Sequence, residues 1–441
     1  MPDPITDTPP ELPTRRLAAL GSRDFRLLWV GQMISLVGSQ MQLTTINWHI
    51  HQLLQGQTFA VGLLGRSFTI AREGLGLGAL GLANVVPIVI FALIGGMLAD
   101  SRDRRRLMLA TQSAMALSAT VLAVITLTGH DSIWAIYLLS GATAAAQAFN
   151  NPAQQSLIPH LVSRAQLTNA ISLNTLNWQL GTIIGPALAG ILLAHLGEHS
   201  TAPNGWIYLI NGLSFLTVIL AVAAMHYRGK PAVGEGQGGQ GVGWKAMLEG
   251  LRFVRRTHLI RSSMLLDFFA TLFASARYIL PMVAHDILHV GVAGYGLLNA
   301  AQPVGAVLAG SVMALKHRLS RQGVVLLVCV ALYGVATMFF GLSTSFALSY
   351  FFFALTGAAD TISTVIRGTM RQMLTPDHLR GRMVGVNMVF FMGGPQLGEL
   401  TTGLLAAALG APFAIVSGGV ATVILAGWVA WKDPELRSYE G

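Results

Sequence analysis

Apolar residues in this chain run in long blocks rather than in alternation. Twelve such blocks stand out, at about 27–53, 77–98, 107–127, 133–151, 169–193, 206–226, 262–284, 294–315, 322–341, 346–366, 383–409 and 412–431. Each is near the roughly 20 residues that a helix needs to cross the hydrocarbon of a bilayer. The pattern therefore predicts twelve membrane-spanning helices. Between the sixth and seventh blocks it changes. Residues 227–243 are glycine-rich and read as a flexible linker. Trp244–His258 then sets apolar residues against Lys245, Arg252, Arg255 and Arg256 at helical spacing. That stretch predicts an amphipathic helix lying on the membrane surface, its basic face toward lipid headgroups. Residues 54–76 are longer than a tight turn and hold Arg66, Arg72 and Glu73. They read as an outer amphipathic cap or as an insertion without a role, and the insertion is the preferred reading.

Composition supports the membrane reading. The chain has 441 residues, of which 53% are hydrophobic and only 11% charged, where a soluble domain carries about a quarter charged residues. Its net charge of +9 would suit nucleic acid, but the placement of the cations argues otherwise. Of the 28 Lys and Arg, 25 fall in the tails and in alternate loops, and the remaining three are Arg66, Arg72 and Arg277. This asymmetry predicts both termini in the cytoplasm, with the basic loops held inside, and leaves no role for nucleic acid. Met1–Arg26 is proline-rich and has no apolar core, so it is not read as a cleavable signal peptide. The single cysteine, Cys329, lies in an apolar block, so neither a disulfide nor a cysteine metal site is expected. The histidines show no metal spacing. No nucleophile–base pattern suggests an enzyme, and no cofactor is expected. Gly234, Gly236 and Gly239 fit G-x-G-x-x-G, but no strand precedes them and no P-loop lysine follows, so a nucleotide site is not expected.

The two halves echo each other. Gln155-Ser-Leu-Ile-Pro159 follows the fourth block, and Gln372-Met-Leu-Thr-Pro376 follows the tenth. Gly185-Pro186 in the fifth is matched by Gly394-Pro395 in the eleventh. A repeat of six spans is a mark of transporters that work by alternating access, with the site between the halves.

Ionisable residues inside a membrane are costly and are functional candidates by default. The blocks contain Asp267 and Arg277 in the seventh, Asp360 in the tenth and Glu399 in the eleventh. All four are candidates for proton coupling. For Asp267 and Asp360 a structural salt bridge near the inner surface is the preferred reading. Glu399, in mid-block beyond Gly393-Gly394-Pro395, is the strongest candidate proton carrier, with Arg277 the nearest intramembrane cation to pair with it. The first block is unusually polar, with Gln40, Thr44 and Asn47 at helical spacing. With Asn177, Asn299 and Gln302, and with the aromatic residues Trp48, Trp178, Phe269 and Tyr278, these describe a large, mostly neutral cavity for a bulky amphipathic ligand. Hydrogen bonding between helices is the plainer reading of any one of them.

The turn between the second and third blocks, Gly95-Gly-Met-Leu-Ala-Asp-Ser-Arg-Asp-Arg-Arg-Arg-Leu107, packs two glycines, Asp100 and four arginines together. It resembles the signature loop of the major facilitator superfamily, with Asp103 standing where that family usually has its second glycine. Gly181-Thr-Ile-Ile-Gly185-Pro186-Ala-Leu-Ala-Gly190 resembles the antiporter motif of the superfamily's exporters, with Ala189 in place of one glycine. The resemblance spans nearly the whole chain and is to the drug:proton antiporter and siderophore-exporter branch. It implies an all-α integral membrane protein of twelve transmembrane helices in two pseudo-symmetric six-helix halves. The divisions follow: a cytoplasmic tail at 1–26, halves at 27–226 and 262–431, a cytoplasmic linker at 227–261 and a tail at 432–441. It implies a gating motif of Gly96, Asp100, Arg104 and Arg105, and an antiporter-like motif of Gly181, Gly185, Pro186 and Gly190. It implies proton-coupled efflux of a bulky amphipathic small molecule by a monomer in the inner (plasma) membrane, the partners being the lipid bilayer, the substrate and protons. A facilitator or importer of a small solute, and a non-transporting receptor or scaffold, are the alternatives. The arginine that many of these antiporters carry in their fourth helix has no counterpart here, because Ile133–Asn151 is uncharged.

Overall fold

A computed structural model of the chain describes residues 17–63, 66–101, 103–197, 200–227, 244–315, 320–376 and 379–440. Side chains are described throughout these ranges except at 61–63, 66–68, 92–101, 244–247, 380–382, 384, 385, 388, 389, 391 and 392. The glycine motif at 234–239 and most of the N-terminal tail lie outside the described residues. Gly96 and Asp100 fall among those whose side chains are not described.

Helices cover all twelve apolar blocks. The first six are α1 (Arg23–Leu54), α2 (Arg72–Ser101), α3 (Arg104–Leu127), α4 (Ile133–Leu161), α5 (Leu167–Leu196) and α6 (Ala202–Ala224). The linker helix α7 (Trp244–Arg256) follows, its Arg252, Arg255 and Arg256 exposed and its inner face against α8 (His258–Ala274) and α13 (Arg380–Leu409). Next come a short α9 (Leu280–Met282), α10 (Gly291–Leu315), α11 (Gln322–Leu342), α12 (Phe346–Leu374), α14 (Ala411–Lys432) and a terminal turn α15 (Pro434–Arg437). Eight of the long helices are apolar enough to cross a membrane by length and composition alone. Of the others, α1 and α4 are rich in polar residues, α8 is only 17 residues long, and α13 carries Glu399, buried inside the bundle.

The hydrocarbon environment accounts for the dominance of helix. Each backbone N–H and C=O must find its partner within the span, and only helices and closed barrels achieve this. Outside the span that constraint lifts, and residues 58–71 depart from the all-helical expectation. They form an antiparallel hairpin, β1 (Thr58–Leu63) and β2 (Arg66–Ala71), running straight into α2 at Arg72. Alternation such as Thr69-Ile70-Ala71 and Thr58-Phe59-Ala60 suits a pleated, half-exposed strand. The stretch read as an insertion is thus folded, and β2 lies against α13.

Two ends of the bundle are distinguishable: the hairpin end, and the opposite, arginine-rich end that holds Arg23, Arg104 and Arg105. Within the first half, α5 lies on α1, and α3 and α6 pack together; in the second, α13 lies on α8, and α10 on α12. Between halves, α2 meets α13 and α5 meets α10. Small residues allow these seams. A Cβ added at Gly190 would come within 2.8 Å of the Val292 carbonyl oxygen, and one at Gly296 within 2.5 Å of the Pro186 oxygen. One at Gly74 would meet the Ala407 nitrogen at 2.6 Å. These seams lie toward the hairpin end, so in this structure the halves are closed together there.

The seventh block is not one helix. α8 stops at Ala274, residues 275–279 are unwound, and the chain resumes through α9 into one π-helical turn, Val283–Ile287. Pro281 supplies the reason, because its ring excludes the carbonyl four residues earlier, that of Arg277, and it has no N–H to offer.

Candidate functional site

The unwound turn of the seventh span sits in mid-bundle, where a helix break leaves backbone donors without water to satisfy them. Glu399 of α13, 4% exposed, takes them. Its Oε1 accepts hydrogen bonds from the Arg277 backbone N–H and the Ser275 hydroxyl, both at 3.1 Å, and its Oε2 accepts from the Tyr278 N–H at 2.8 Å. Glu399 and Arg277 do meet, as the sequence suggests, but through the backbone of Arg277. The guanidinium instead donates to Asn299 Oδ1 at 3.2 Å and to Gln40 Oε1 at 3.3 Å.

From this turn two hydrogen-bond chains reach the other half. In the first, Asn299 donates to the Tyr295 hydroxyl at 3.3 Å, which donates to the Thr44 carbonyl of α1 at 3.1 Å. Trp48 stacks on Tyr295, with ring centroids 5.6 Å apart. In the second, Asn84 of α2 donates to the Tyr278 hydroxyl at 3.2 Å, which donates to Gln396 Oε1 at 3.3 Å. Thr44 and Asn47 are fully buried, and Asn177 bonds the Trp29 carbonyl at 3.0 Å. Gln302 lines a small cavity beside Arg277, with Tyr333, Thr337 and Phe340, large enough for a water molecule. Gln40, Thr44, Asn47 and Asn299 therefore form a closed polar seam in this structure rather than the walls of a wide cavity. Of the aromatic candidates, Trp48 and Tyr278 are buried in the seam, whereas Trp178 is 57% exposed and Phe269 37%.

Asp267 and Asp360 do not join Glu399. Both pair with Arg367, the first directly and the second at 3.6 Å. Arg367 was expected among the loop cations, but α12 extends to Leu374 and carries it, buried, against α8. Loop charge counting missed it because the apolar block ends one residue earlier, at Ile366.

At the hairpin end, α1 supplies two buried histidines that the sequence reading left unpaired. His51 Nδ1 lies 2.6 Å from Glu73 Oε1. His49 lies 3.3 Å from Asp131 and 3.0 Å from the Tyr208 hydroxyl. Burial alone would push the Asp131 carboxyl up, but its contact with His49 and the hydrogen bond it accepts from Thr201 outweigh that and hold it below the ordinary carboxylate value. At the arginine-rich end, Asp103 caps α3, accepting from the Arg105 and Arg106 N–H groups at 2.9 and 3.2 Å. Arg105 donates to the Val222 and Ala223 carbonyls that end α6, and Arg104 to the Ser156 carbonyl and His160 of α4. In the antiporter-like motif, a Cβ at Gly181 would meet Leu36 at 2.6 Å and one at Gly185 would meet Gln40 at 2.5 Å, so Gly181 and Gly185 seat α5 on α1, and Gly190 seats it on α10. Gly394 and Gly398 give α13 the same fit on α8.

Twelve spans in two like halves, joined by glycine seams and by a buried polar turn in mid-membrane, define a transporter of the major facilitator superfamily. The chain belongs to that superfamily's transmembrane secretion effector family, whose sequence pattern matches residues 14–440. It is 26% identical over 383 residues to the enterobactin exporter of Citrobacter koseri, covering 87% of this chain and 85% of that one. It is 25% identical, with the same coverage, to the enterobactin exporter of Escherichia coli. Solved structures share the fold. A bacterial homologue of the human lysosomal transporter Spinster, inward-facing and occupied, gives a TM-score of 0.68 at 14% identity, covering 94% of this chain and 97% of that one. A bacterial homologue of the iron transporter ferroportin, in an inward-facing state, gives 0.67 at 15% identity, covering 93% and 99%. The chain is thus a multi-pass membrane transporter.

Proposed function

We propose that this protein is a secondary-active exporter of the bacterial inner membrane, driving a bulky amphipathic small molecule outward against protons by alternating access. The observation that carries this reading is the Glu399 site: a buried carboxylate in mid-membrane, bonded to a broken helix at the meeting of the two halves. Similarity to enterobactin exporters supports efflux and puts siderophores first among substrate classes, ahead of drugs and other metabolites. The concentration of arginine at one end supports a cytoplasmic position for that end and for both termini. With the halves closed at the hairpin end, this is then a state shut toward the outside. Glu399 is the proton carrier, exchanging an ionised form held by the broken helix for a protonated form when the site turns outward. Arg277, Gln40, Asn299 and Gln302 line the path that substrate takes.

Inverted vesicles test this. Uptake of iron-free enterobactin or a similar siderophore should be energised by a proton gradient, collapse with a protonophore, and be lost in Glu399→Gln while equilibrium exchange persists. Uptake that continues without a gradient, running only down the substrate's own concentration, would identify a facilitator instead.

A further inference from the structure

We propose that the unwound turn Ser275–Tyr278 is a clasp that locks the two halves together at the hairpin end, with Glu399 as its positioning residue. The inference rests on the alternating-access reading and adds to it the device by which the state of Glu399 reaches the gate.

Three observations converge. First, the turn is not held by helical bonds of its own: the helix is interrupted between Ala274 and Leu280, ahead of Pro281, and the Arg277 and Tyr278 N–H groups have no helical carbonyl to bond. Glu399 is what fixes it, one carboxylate oxygen to each N–H. Second, the side chains of these same two residues cross the interface between the halves. Arg277 reaches Gln40 of α1, directly and through Asn299 and Tyr295 to Thr44, and Tyr278 reaches Asn84 of α2. Third, the clasp lies where the glycine seam closes. Gly81 of α2 sits against Gln396 and Glu399, and a Cβ there would meet the Gln396 carbonyl oxygen at 2.7 Å. The bonds across the gate therefore hang on backbone donors that one carboxylate orients.

The chemistry of the carboxyl group makes this arrangement switchable. Ionised, it accepts on both oxygens. Protonated, one oxygen becomes a donor and a much weaker acceptor, and the carboxyl loses its charge, so its grip on two N–H groups and a hydroxyl weakens. The turn loses its anchor, and Arg277 and Tyr278 lose their aim at α1 and α2. Among the described residues, the charged or titratable groups near Glu399 are Arg277 and Tyr278 on the turn and Tyr333 on α11. α2 faces it with Gly78 and Gly81.

The test is a distance measurement across the gate without substrate. Spin labels at His130→Cys and Thr344→Cys, both exposed and at the hairpin end of opposite halves, are placed in a Cys329→Ser background and measured in lipid nanodiscs. Glu399→Gln and Tyr278→Phe should each raise the ratio of long to short distances by roughly threefold or more, about what one interhelical hydrogen bond contributes in a membrane. The double variant should shift no further than Glu399→Gln alone, because Tyr278 acts through the turn that Glu399 holds. A Glu399→Gln protein that stays folded, melting near its parent, with the parent's distance distribution overturns the clasp. So do single shifts that simply add. Neither result touches the export reading, which stands or falls on vesicle uptake.

Discussion

Two acids of α8 and α12, Asp267 and Asp360, share one guanidinium, as a structural salt bridge would have them do. A buried charge left without its partner is far more costly than a buried pair is favourable. Arg367→Met should therefore destabilise the protein by about 3 kcal/mol, seen as a clear fall in melting temperature in detergent, because it strands the largely buried Asp267 carboxylate. Asp360→Asn keeps the direct Asp267–Arg367 pair and should cost much less. Equal melting of the two variants would show that the triad is not what joins α8 to α12. Of this cluster only the acids were legible beforehand. Their partner stands at the border of an apolar block, where sequence does not tell a loop cation from a buried one.

At the scale of elements, the antiporter-like motif acquires a mechanical meaning. Gly190 faces backbone atoms of α10, and backbone cannot move aside as a flexible side chain can. Gly190→Val or Gly296→Val should wedge α5 from α10 and hold the hairpin end open. Cysteines introduced at buried seam positions such as Thr44 should then react with a membrane-impermeant maleimide from the hairpin side, and in the parent they should react several-fold more slowly. Equal reactivity would remove this seam from the gate. The seventh span teaches a related lesson. Its proline is visible in the sequence, and a proline in a span is tolerated where something re-satisfies the freed backbone. What takes up the N–H groups of the unwound turn lies more than 120 residues away on another helix, so the break was open to prediction and its carboxylate partner was not. The hairpin was missed for a simpler reason, since the alternation at 58–71 is short and stands between two long apolar helices.

For the molecule as a whole, closure at the hairpin end leaves the opposite gate to the motif around Asp100. If Asp100 accepts cations or backbone donors from the second half when the arginine-rich end closes, Asp100→Asn should still reach the membrane at parental levels but export several-fold more slowly. It should also shift spin-label distances at the arginine-rich end toward the open form. A well-expressed Asp100→Asn protein exporting at the parental rate would sink this role. With the proposed clasp, such a role for Asp100 would give the transporter a different lock at each end, one made by a loop charge and one by a broken helix.

The sequence by itself determined the twelve spans, the linker helix between the halves and the superfamily. In hydrocarbon these follow from local quantities: the length of an apolar block, and a backbone that must bond within itself. It also named Glu399 and Arg277, because an ionisable residue in such a block is conspicuous. Only the tertiary structure decided what these residues do. That Glu399 grips the backbone of Arg277 and not its guanidinium, that Arg367 serves Asp267 and Asp360, and that polar positions of α1 close a seam all depend on groups far apart in the chain. Contacts of that kind are set by how twelve helices pack, and no single helix carries them.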